Sequence, residues 1–327
     1  MSKRIIYSCP FVPAEWISAH GFQPSRVMPH ASRDGCGLGM RAGMCSYAHA
    51  FANSALSDAD AAAIVVTTLC DQMRRISELI AQNTTCPVFL MNVPHTWESI
   101  NARSLYASEI HRMGRFLVRL GGESPSREML AGVMLDYDAK RSAIIESRGR
   151  MTARMHSQSL ADFHGSGGVV PEQPDCGFQP SGIPIGLVGG PLLAEQFEIF
   201  NMIEAAGGHI AMDGTETGER TLPGRFDRRL VQHDPFSALA DAYFTVIPDA
   251  ARRPNTRLYA WLKQRMDKRK LKGIILIRPV WCDNWHAESQ RIKEWLNVPL
   301  FDLNITEDSS DMNRKLTRLG AFMEMLT

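Results

Sequence analysis

The chain has 327 residues, of which 36 are basic and 35 are acidic, and 44% of all residues are apolar. A chain of this length and composition can bury one large core or two ordinary ones, which excludes a disordered or collagen-like protein. The formal net charge of +1 gives no sign of a polyanionic partner, so we expect that nucleic acid is not a ligand.

Apolar runs in the sequence are short. The longest, such as 61–68 and 273–277, fall well below the roughly 20 residues that a membrane-spanning helix needs. The segment from Met1 to Tyr7 leads straight into a strand-like run and lacks a long apolar signal segment followed by a small-residue cleavage site. The sequence therefore predicts a cytoplasmic protein without a membrane span.

Short β-branched runs alternate with longer helical patterns along the whole chain, which is typical of parallel strands joined by crossover helices. The predicted fold class is α/β, with parallel sheets flanked by helices. Strands are predicted at 4–9, 62–68, 88–93, 183–188, 209–213, 273–279 and 299–303. Helices are predicted around 14–20, 44–53, 72–81, 98–120, 127–162, 191–206, 256–270, 287–296 and 310–325.

A segment rich in glycine and proline, 164–182, follows a long helical region and is typical of an interdomain linker. We therefore expect an N-terminal α/β domain over 1–165, a linker over 166–182 and a C-terminal α/β domain over 183–327. Each half contains a strand that ends in Cys-Asp, as VVTTLCD at 65–71 and as IRPVWCD at 277–283.

The cysteine pattern does not suit disulfides. Seven cysteines are an odd number, and no two of them form the CxxC pair of structural zinc sites or redox-active dithiols. In an open parallel sheet, ligands gather beyond the carboxyl ends of the strands. This rule selects Cys70 and Cys282, which end strands, and Cys45, which opens a helix. Cys9 also follows a strand.

The remaining cysteines are poorer candidates. Cys86 precedes its strand and is expected at the opposite edge of the sheet. Cys176 lies in the predicted linker, and Cys36 lies in a glycine-rich segment whose position the pattern does not fix. Three thiolates from separate loops can hold zinc or an iron–sulfur cluster, and ligand softness alone does not decide between them. Buried cysteines that serve only as small apolar residues are the alternative.

Several segments together resemble one known family. They are CPFVPAEWISAHGFQPSRV, MCSYAHAF, VVTTLCDQMRR, FLMNVP, and the C-terminal block WCDNWHAESQRIKEWLNVPLFDLNITED followed by TRLGAFMEML. With these segments, which extend from Cys9 to Leu326, the chain resembles the 2-hydroxyacyl-CoA dehydratase and benzoyl-CoA reductase subunits. Its greatest resemblance is to the 2-hydroxyglutaryl-CoA dehydratase D-component.

The resemblance implies two Rossmann-like domains with a 4Fe-4S cluster between them. By motif, the cluster ligands would be Cys45, Cys70 and Cys282, with the fourth iron left to water, hydroxide or substrate. The resemblance also implies assembly with a related second subunit or as a homodimer, an acyl-CoA substrate, and a separate ATP-dependent iron–sulfur activator protein. The chain carries neither a GxxxxGK[ST] phosphate loop nor a GxGxxG fingerprint after a strand, which agrees with ATP hydrolysis by a separate activator protein.

The chain departs from some relatives in the turn DGTETGER at 213–220. Relatives with a double-cubane cluster carry a cysteine in this turn, where the present chain has Glu216 and Thr217. The sequence therefore favours a single cubane.

The chemistry implied by the family is radical. An electron delivered to the thioester carbonyl gives a ketyl that expels the 2-hydroxyl group and acidifies C3, and a base must then accept the C3 proton. Glu15, near Cys9, is the candidate catalytic residue, with an exposed helix carboxylate as its alternative interpretation. Glu288, six residues after Cys282, is equally explained by its helix. A benzoyl-CoA reductase-like enzyme, an accessory iron–sulfur electron-transfer protein and a structural zinc protein are the alternative functions.

Overall fold

The structure, a computed structural model, describes residues 3–31, 38–39, 43–172, 177–305 and 312–327. Cys36 and Cys176 therefore lie outside the described residues. The elements of the first half, in chain order, are β1 (Arg4–Tyr7), α1 (Ala14–Ala19), β2 (Gln23–Arg26), α2 (Ser46–Ser57), β3 (Ala61–Thr67), α3 (Asp71–Asn83), β4 (Val88–Met91), α4 (Ile100–Arg119), α5 (Arg127–Glu146) and α6 (Ala153–Gly165).

The second half repeats the alternation of strands and helices. Its elements are β5 (Ile183–Gly189), α7 (Glu198–Ala205), β6 (Gly208–Gly214), α8 (Arg228–His233), α9 (Pro235–Phe244), α10 (Thr256–Arg269), β7 (Gly273–Pro279), α11 (Asp283–Trp295), β8 (Leu300–Ile305) and α12 (Met312–Glu324). Short 3₁₀ turns precede α6 and α7 and follow β6.

The strands form two four-stranded sheets, in the order β2-β1-β3-β4 and β6-β5-β7-β8. All strand pairs within them are parallel. The predicted α/β class, with two Rossmann-like units of parallel sheet flanked by helices, is confirmed. The boundaries predicted for the two domains and their linker stay a prediction.

Each sheet is buried on both faces because alternate residues of its strands enter different cores. In the first sheet, Tyr7 and Val65 pack into one core, whereas Ile64 and Val66 pack into the other. The second sheet has the same arrangement, with Ile275 and Ile277 on one face and Ile274 and Leu276 on the other. The near-continuous apolar runs that predicted these strands are the consequence of this two-sided burial.

Helices α8 and α9 pack against helices of the first half. Val231, Leu239 and Tyr243 belong to the same apolar core as Ile110 of α4 and Leu130 of α5. A segment that follows the second sheet's β6 in the chain therefore completes the core of the first sheet.

The observed elements differ from the predicted ones in several places. The helix predicted over 127–162 is two helices, because a 3₁₀ turn follows α5 and Met151 adopts an extended conformation. Thr152 then begins α6 as its N-cap, accepting a hydrogen bond from the backbone N–H of Met155. Strand β2 and helices α8 and α9 were not predicted. In the part of the chain that the structure describes, no helix has the length and apolar character needed to cross a membrane.

Candidate metal centre at the carboxyl ends of the strands

The three cysteines selected from the sequence share one local position. Cys45, Cys70 and Cys282 are the N-cap residues of α2, α3 and α11, and each has an extended backbone. Cys70 and Cys282 come just after β3 and β7, where the chain leaves a strand and starts a helix. A helix N-terminus presents unpaired N–H groups and a partial positive charge, so each thiol lies where a negative charge is favoured.

One cavity of about 70 Å³ brings these cysteines together. Cys45, Cys70 and Cys282 all line it, and Cys9, which follows β1, is a fourth cysteine in its wall. Its lining comes from both sheets, with Thr67 at the end of β3 and Pro279 at the end of β7. The cavity therefore lies where the carboxyl edges of the two sheets meet.

Cys86 lies at the other edge of the first sheet. Its thiol donates a hydrogen bond of 3.3 Å to the backbone oxygen of Ala61, the first residue of β3. Because parallel strands start at the same edge, Cys86 is separated from the cavity by the length of the sheet. Its position agrees with the sequence argument that set it apart from the other thiols.

Burial raises the pKa of each thiol in the cavity. The pKa of Cys70 rises to about 12, opposed by the backbone N–H groups of Met73 and Gln72. Burial also raises the pKa of Cys45 and of Cys282. Hydrogen bonds from the backbone N–H groups in the first turns of their helices act in the opposite direction and lower the pKa. The thiols are therefore protonated at neutral pH, and a cationic group that binds them must displace their protons.

The donor set at the cavity consists of soft thiols. Among the described residues, no three His, Cys, Asp or Glu side chains are arranged to hold one metal ion. Three soft thiols on three separate helices, none of them in a disulfide, instead surround a common space. Iron–sulfur clusters bind cysteine thiolates through different irons, so their ligands need not converge on one atom. The residues present therefore fit a Cys-ligated iron–sulfur cluster.

Sequence reasoning missed Glu216 and Asp249 as members of the site, although both line the cavity. Burial and the charge of Asp249 raise the pKa of Glu216 to about 7, against the lowering effect of Arg26 and Arg220. Glu216 lies two residues after the end of β6. The rule that ligands gather beyond the carboxyl ends of the strands, which selected the cysteines, would also have selected Glu216. Asp249 lies in a loop that no local pattern connects to the cysteines.

Asp249 is held by a buried arginine. Arg220 forms an ion pair of 2.9 Å with Asp249 and also donates hydrogen bonds to the backbone oxygens of Gly189 and Gly214. These glycines end β5 and β6, so Arg220 ties the carboxyl ends of two strands to the wall of the cavity. The other carboxylate oxygen of Asp249 accepts a hydrogen bond from the backbone N–H of Ala251.

Glu15, the candidate catalytic residue, lies in a different place. It is fully buried in α1, where Arg141 of α5 forms an ion pair with it and the hydroxyl of Tyr243 donates a hydrogen bond of 2.6 Å. It is not part of the cavity wall that contains the thiols. The exposed carboxylate that was its alternative interpretation is wrong, whereas its role in proton transfer stays a prediction.

Glu288 is also fully buried. The hydroxyl of Tyr259 donates a hydrogen bond of 2.8 Å to it, and Arg253 and Arg291 lie at 3.5 and 3.7 Å. Among the described residues, the Oε1 atom of Glu288 has no hydrogen-bond partner.

Comparison with known proteins identifies the class to which this fold and site belong. The sequence profile of the family described as 2-hydroxyglutaryl-CoA dehydratase, D-component, matches residues 9–326. The chain belongs to this family. A D-component is one part of a larger enzyme, so the family implies a partner subunit.

One curated relative is similar over most of both chains. It is an Escherichia coli (strain K12) protein named "Putative dehydratase subunit YjiM", which is 22% identical over 289 residues, covering 80% of this chain and 74% of the relative. A solved structure, a Mn-bound periplasmic metal-binding protein from Candidatus Liberibacter asiaticus, is 10% identical and covers all of both chains with a TM-score of 0.26. A likeness this low carries no argument about the present fold.

Proposed function

We propose that this chain is the iron–sulfur subunit of a 2-hydroxyacyl-CoA dehydratase-like lyase, which eliminates water from a 2-hydroxyacyl-CoA by a radical route. Membership of the dehydratase D-component family supports the reaction class. The observation that carries the proposal is the meeting of Cys45, Cys70 and Cys282 at one cavity between the carboxyl edges of the two sheets. These three residues would hold a single 4Fe-4S cluster.

When bound, such a cluster would supply a Lewis-acidic iron and a relay for one electron. The chain's own residues supply its surroundings. Leu69, Met73 and Trp285 give the cavity apolar walls, which exclude water and strengthen the electrostatic interactions inside. The N-terminal amides of α2, α3 and α11 stabilise the negative charge of the bound thiolates.

The size of the cavity limits what reaches the thiols. A volume of about 70 Å³ is far below the several hundred Å³ of a typical small-molecule pocket. The cavity therefore suits a compact group held by the thiols, and most of a coenzyme A thioester would lie outside it. We propose that the partner subunit helps to form that outer part of the substrate site.

The first experiment measures the metal. Protein purified without oxygen, or reconstituted with iron and sulfide, should contain about four iron and four sulfide per chain, as expected for one cubane. Stoichiometric zinc without iron under the same conditions would contradict the proposal and favour a structural zinc protein.

The second experiment measures the reaction. With its partner subunit and an ATP-dependent iron–sulfur activator, the chain should dehydrate a 2-hydroxyacyl-CoA with only catalytic amounts of ATP, because the electron returns after each turnover. Consumption of electrons in proportion to product would instead indicate a benzoyl-CoA reductase-like enzyme. Cluster reduction without any acyl-CoA turnover would indicate an accessory electron-transfer protein.

A further inference from the structure

Glu216 is fixed at the cavity by its backbone. Its N–H donates a hydrogen bond of 3.2 Å to the oxygen of Gly190, and its own carbonyl oxygen accepts hydrogen bonds from Arg26 at 2.9 Å and from the hydroxyl of Thr221 at 2.7 Å. The turn that carries Glu216 is thus held between the end of β2 and the loop after β5. The position of its side chain beside the thiols is built into the fold.

The carboxylate of Glu216 has few partners of its own. In the part of the chain that the structure describes, neither carboxylate oxygen accepts a hydrogen bond, and the nearest cation, Arg26, lies 3.7 Å from Oε1. About a fifth of the side chain, 19%, stays exposed. A carboxylate this enclosed normally accepts several hydrogen bonds, so the Glu216 oxygens retain capacity for a ligand.

Glu216 lines the same cavity as Cys9, Cys45, Cys70 and Cys282. The charge of Glu216 contributes to raising the pKa of Cys9, Cys45, Cys70 and Cys282. A group held by three of these thiols would therefore share the cavity with the Glu216 side chain.

The other carboxylate of the cavity is already engaged. Both carboxylate oxygens of Asp249 are occupied by Arg220 and the N–H of Ala251. Cys9 belongs to the apolar core of the first sheet. Glu216 is the anionic group that this arrangement leaves available.

We infer that Glu216 is the fourth protein ligand of the centre, its carboxylate binding the iron that the three cysteines leave without a protein donor. This inference rests on the proposed function. Arg26, at the end of β2, lies 3.7 Å from this carboxylate and would balance its charge when the carboxylate is not bound to a metal. Carboxylate oxygen is a harder ligand than thiolate and is exchanged more readily, which suits a position that substrate must occupy.

The test detects solvent on the iron. Anaerobic wild-type protein and Glu216→Ala protein are reduced by one electron in water enriched in oxygen-17 and are compared by electron–nuclear double resonance. We expect no exchangeable oxygen coupling in the wild type and a clear coupling in Glu216→Ala, where water replaces the carboxylate. Glu216→Gln, which keeps the size of the side chain but loses its charge, should also admit water and serves if the alanine variant fails to fold.

Cys9→Ala is the matched control, since Cys9 lines the same cavity. It should give the wild-type spectrum, without an oxygen coupling. A coupling in Cys9→Ala but not in the Glu216 variants would overturn the inference in favour of Cys9 as the ligand. An oxygen coupling in the wild-type protein would also overturn the inference, because it would show that solvent rather than Glu216 binds the iron. Iron and sulfide contents are measured on each sample, so a wild-type protein without a cluster would instead overturn the proposed function, and with it this inference.

Discussion

Cys70 and Cys282 owe their positions at the cavity to a strand that ends and a helix that begins. Cys70 illustrates the pattern, because Thr67 is the last residue of β3 and Asp71 the first of α3. Cys86 has a different environment, because its thiol donates a hydrogen bond to the backbone oxygen of Ala61 at the start of β3. Position relative to the strand, rather than the residue itself, distinguishes a candidate ligand from a structural thiol.

The first prediction compares Cys70 with Cys86. Cys70→Ala should abolish cluster binding because it removes one of three thiolates, whereas Cys86→Ala should retain the iron and sulfide content of the wild type. The measurement is iron and sulfide per chain after anaerobic reconstitution, together with turnover in the presence of the partner and the activator. Cys86→Ala is a matched control because both thiols are partly buried and lie in the same sheet unit. Normal iron content in Cys70→Ala protein would contradict the ligand assignment.

A second prediction concerns Glu219, which joins two arginines. Burial acts to raise the pKa of Glu219, but the hydrogen bond from Arg269 and the charges of Arg148 and Arg269 outweigh it and lower the pKa to about 2. The unfolded chain, with a pKa near 4.5, therefore takes up the proton first as the pH falls. The ion pairs contribute about 3 kcal/mol above pH 4.5, and this contribution disappears as the pH falls from 4.5 through 2.

The measurement is urea unfolding of wild-type and Glu219→Gln protein at pH 7 and at pH 3. The free energy of unfolding should differ more between the two proteins at pH 7 than at pH 3. Glu198→Gln is the control, because its pair with Arg154 is exposed and should contribute little at either pH. An equal difference at both pH values would show that Glu219 does not titrate in this way.

At the scale of elements, apolar patterning predicted the interior of each sheet but not its edge. The central strands β3 and β7 are nearly continuous apolar runs, because helices cover both of their faces. Strand β2, Gln23–Arg26, has the sequence QPSR and carries no such pattern. It is an edge strand, where proline is tolerated, and its pairing with β1 is set by the fold around it. Such an edge strand leaves no local signal in the sequence.

Helices α8 and α9 were missed for a different reason. Aspartates cap both of them, as Asp227 accepts from Leu230 and Asp234 from Ser237. These caps are visible in the sequence, but helices of six and ten residues give too few turns for a periodic pattern. Their contribution to the first core depends on contacts between distant parts of the chain.

A third prediction tests the end of β5. Gly189 has a φ of +150°, and a Cβ atom there would lie 1.8 Å from the backbone oxygen of Ile277. Gly189→Ala should therefore destabilise the protein by about 3 kcal/mol or more, since neither backbone can move without breaking the β5–β7 pairing. Thermal and urea unfolding measure the loss.

Gly132→Ala is the matched substitution. Gly132 lies within α5, where a Cβ would meet nothing within 4 Å. Alanine is the better helix former by about 1 kcal/mol, so this variant should be as stable as the wild type or more so. Equal stability of the two alanine variants would show that the close approach at Gly189 is relaxed in solution.

At the scale of the whole molecule, the two halves share buried charge as well as apolar core. Glu15 of α1 contacts Arg141 of α5 and Tyr243 of α9, and the last of these comes from beyond β6 in the chain. The sequence suggested Glu15 only by its nearness to Cys9. Partners more than 100 residues away decide its environment, and no local pattern encodes them.

The fourth prediction follows from this contact. Glu15→Ala should lower the free energy of unfolding by about 3–5 kcal/mol, because Arg141 would stay buried without a counter-charge. Because the contact joins both halves, the loss should appear as a shift of one calorimetric transition. The measurement is calorimetry of the protein without a cluster, in which a role in catalysis has no effect. An unchanged free energy of unfolding would contradict this stabilising role and would favour a purely catalytic role for Glu15.

The shared strand order of the two sheets has a consequence for the centre. Because β1, β3 and β4 correspond in order to β5, β7 and β8, Cys70 after β3 and Cys282 after β7 occupy equivalent places in a repeated architecture. Cys45 belongs with Cys70 to the first unit. A group bound by all three thiols would thus act as a cross-link between the two units. Metal loading would stabilise the folded arrangement of the two units by mass action, and chelation would remove that contribution.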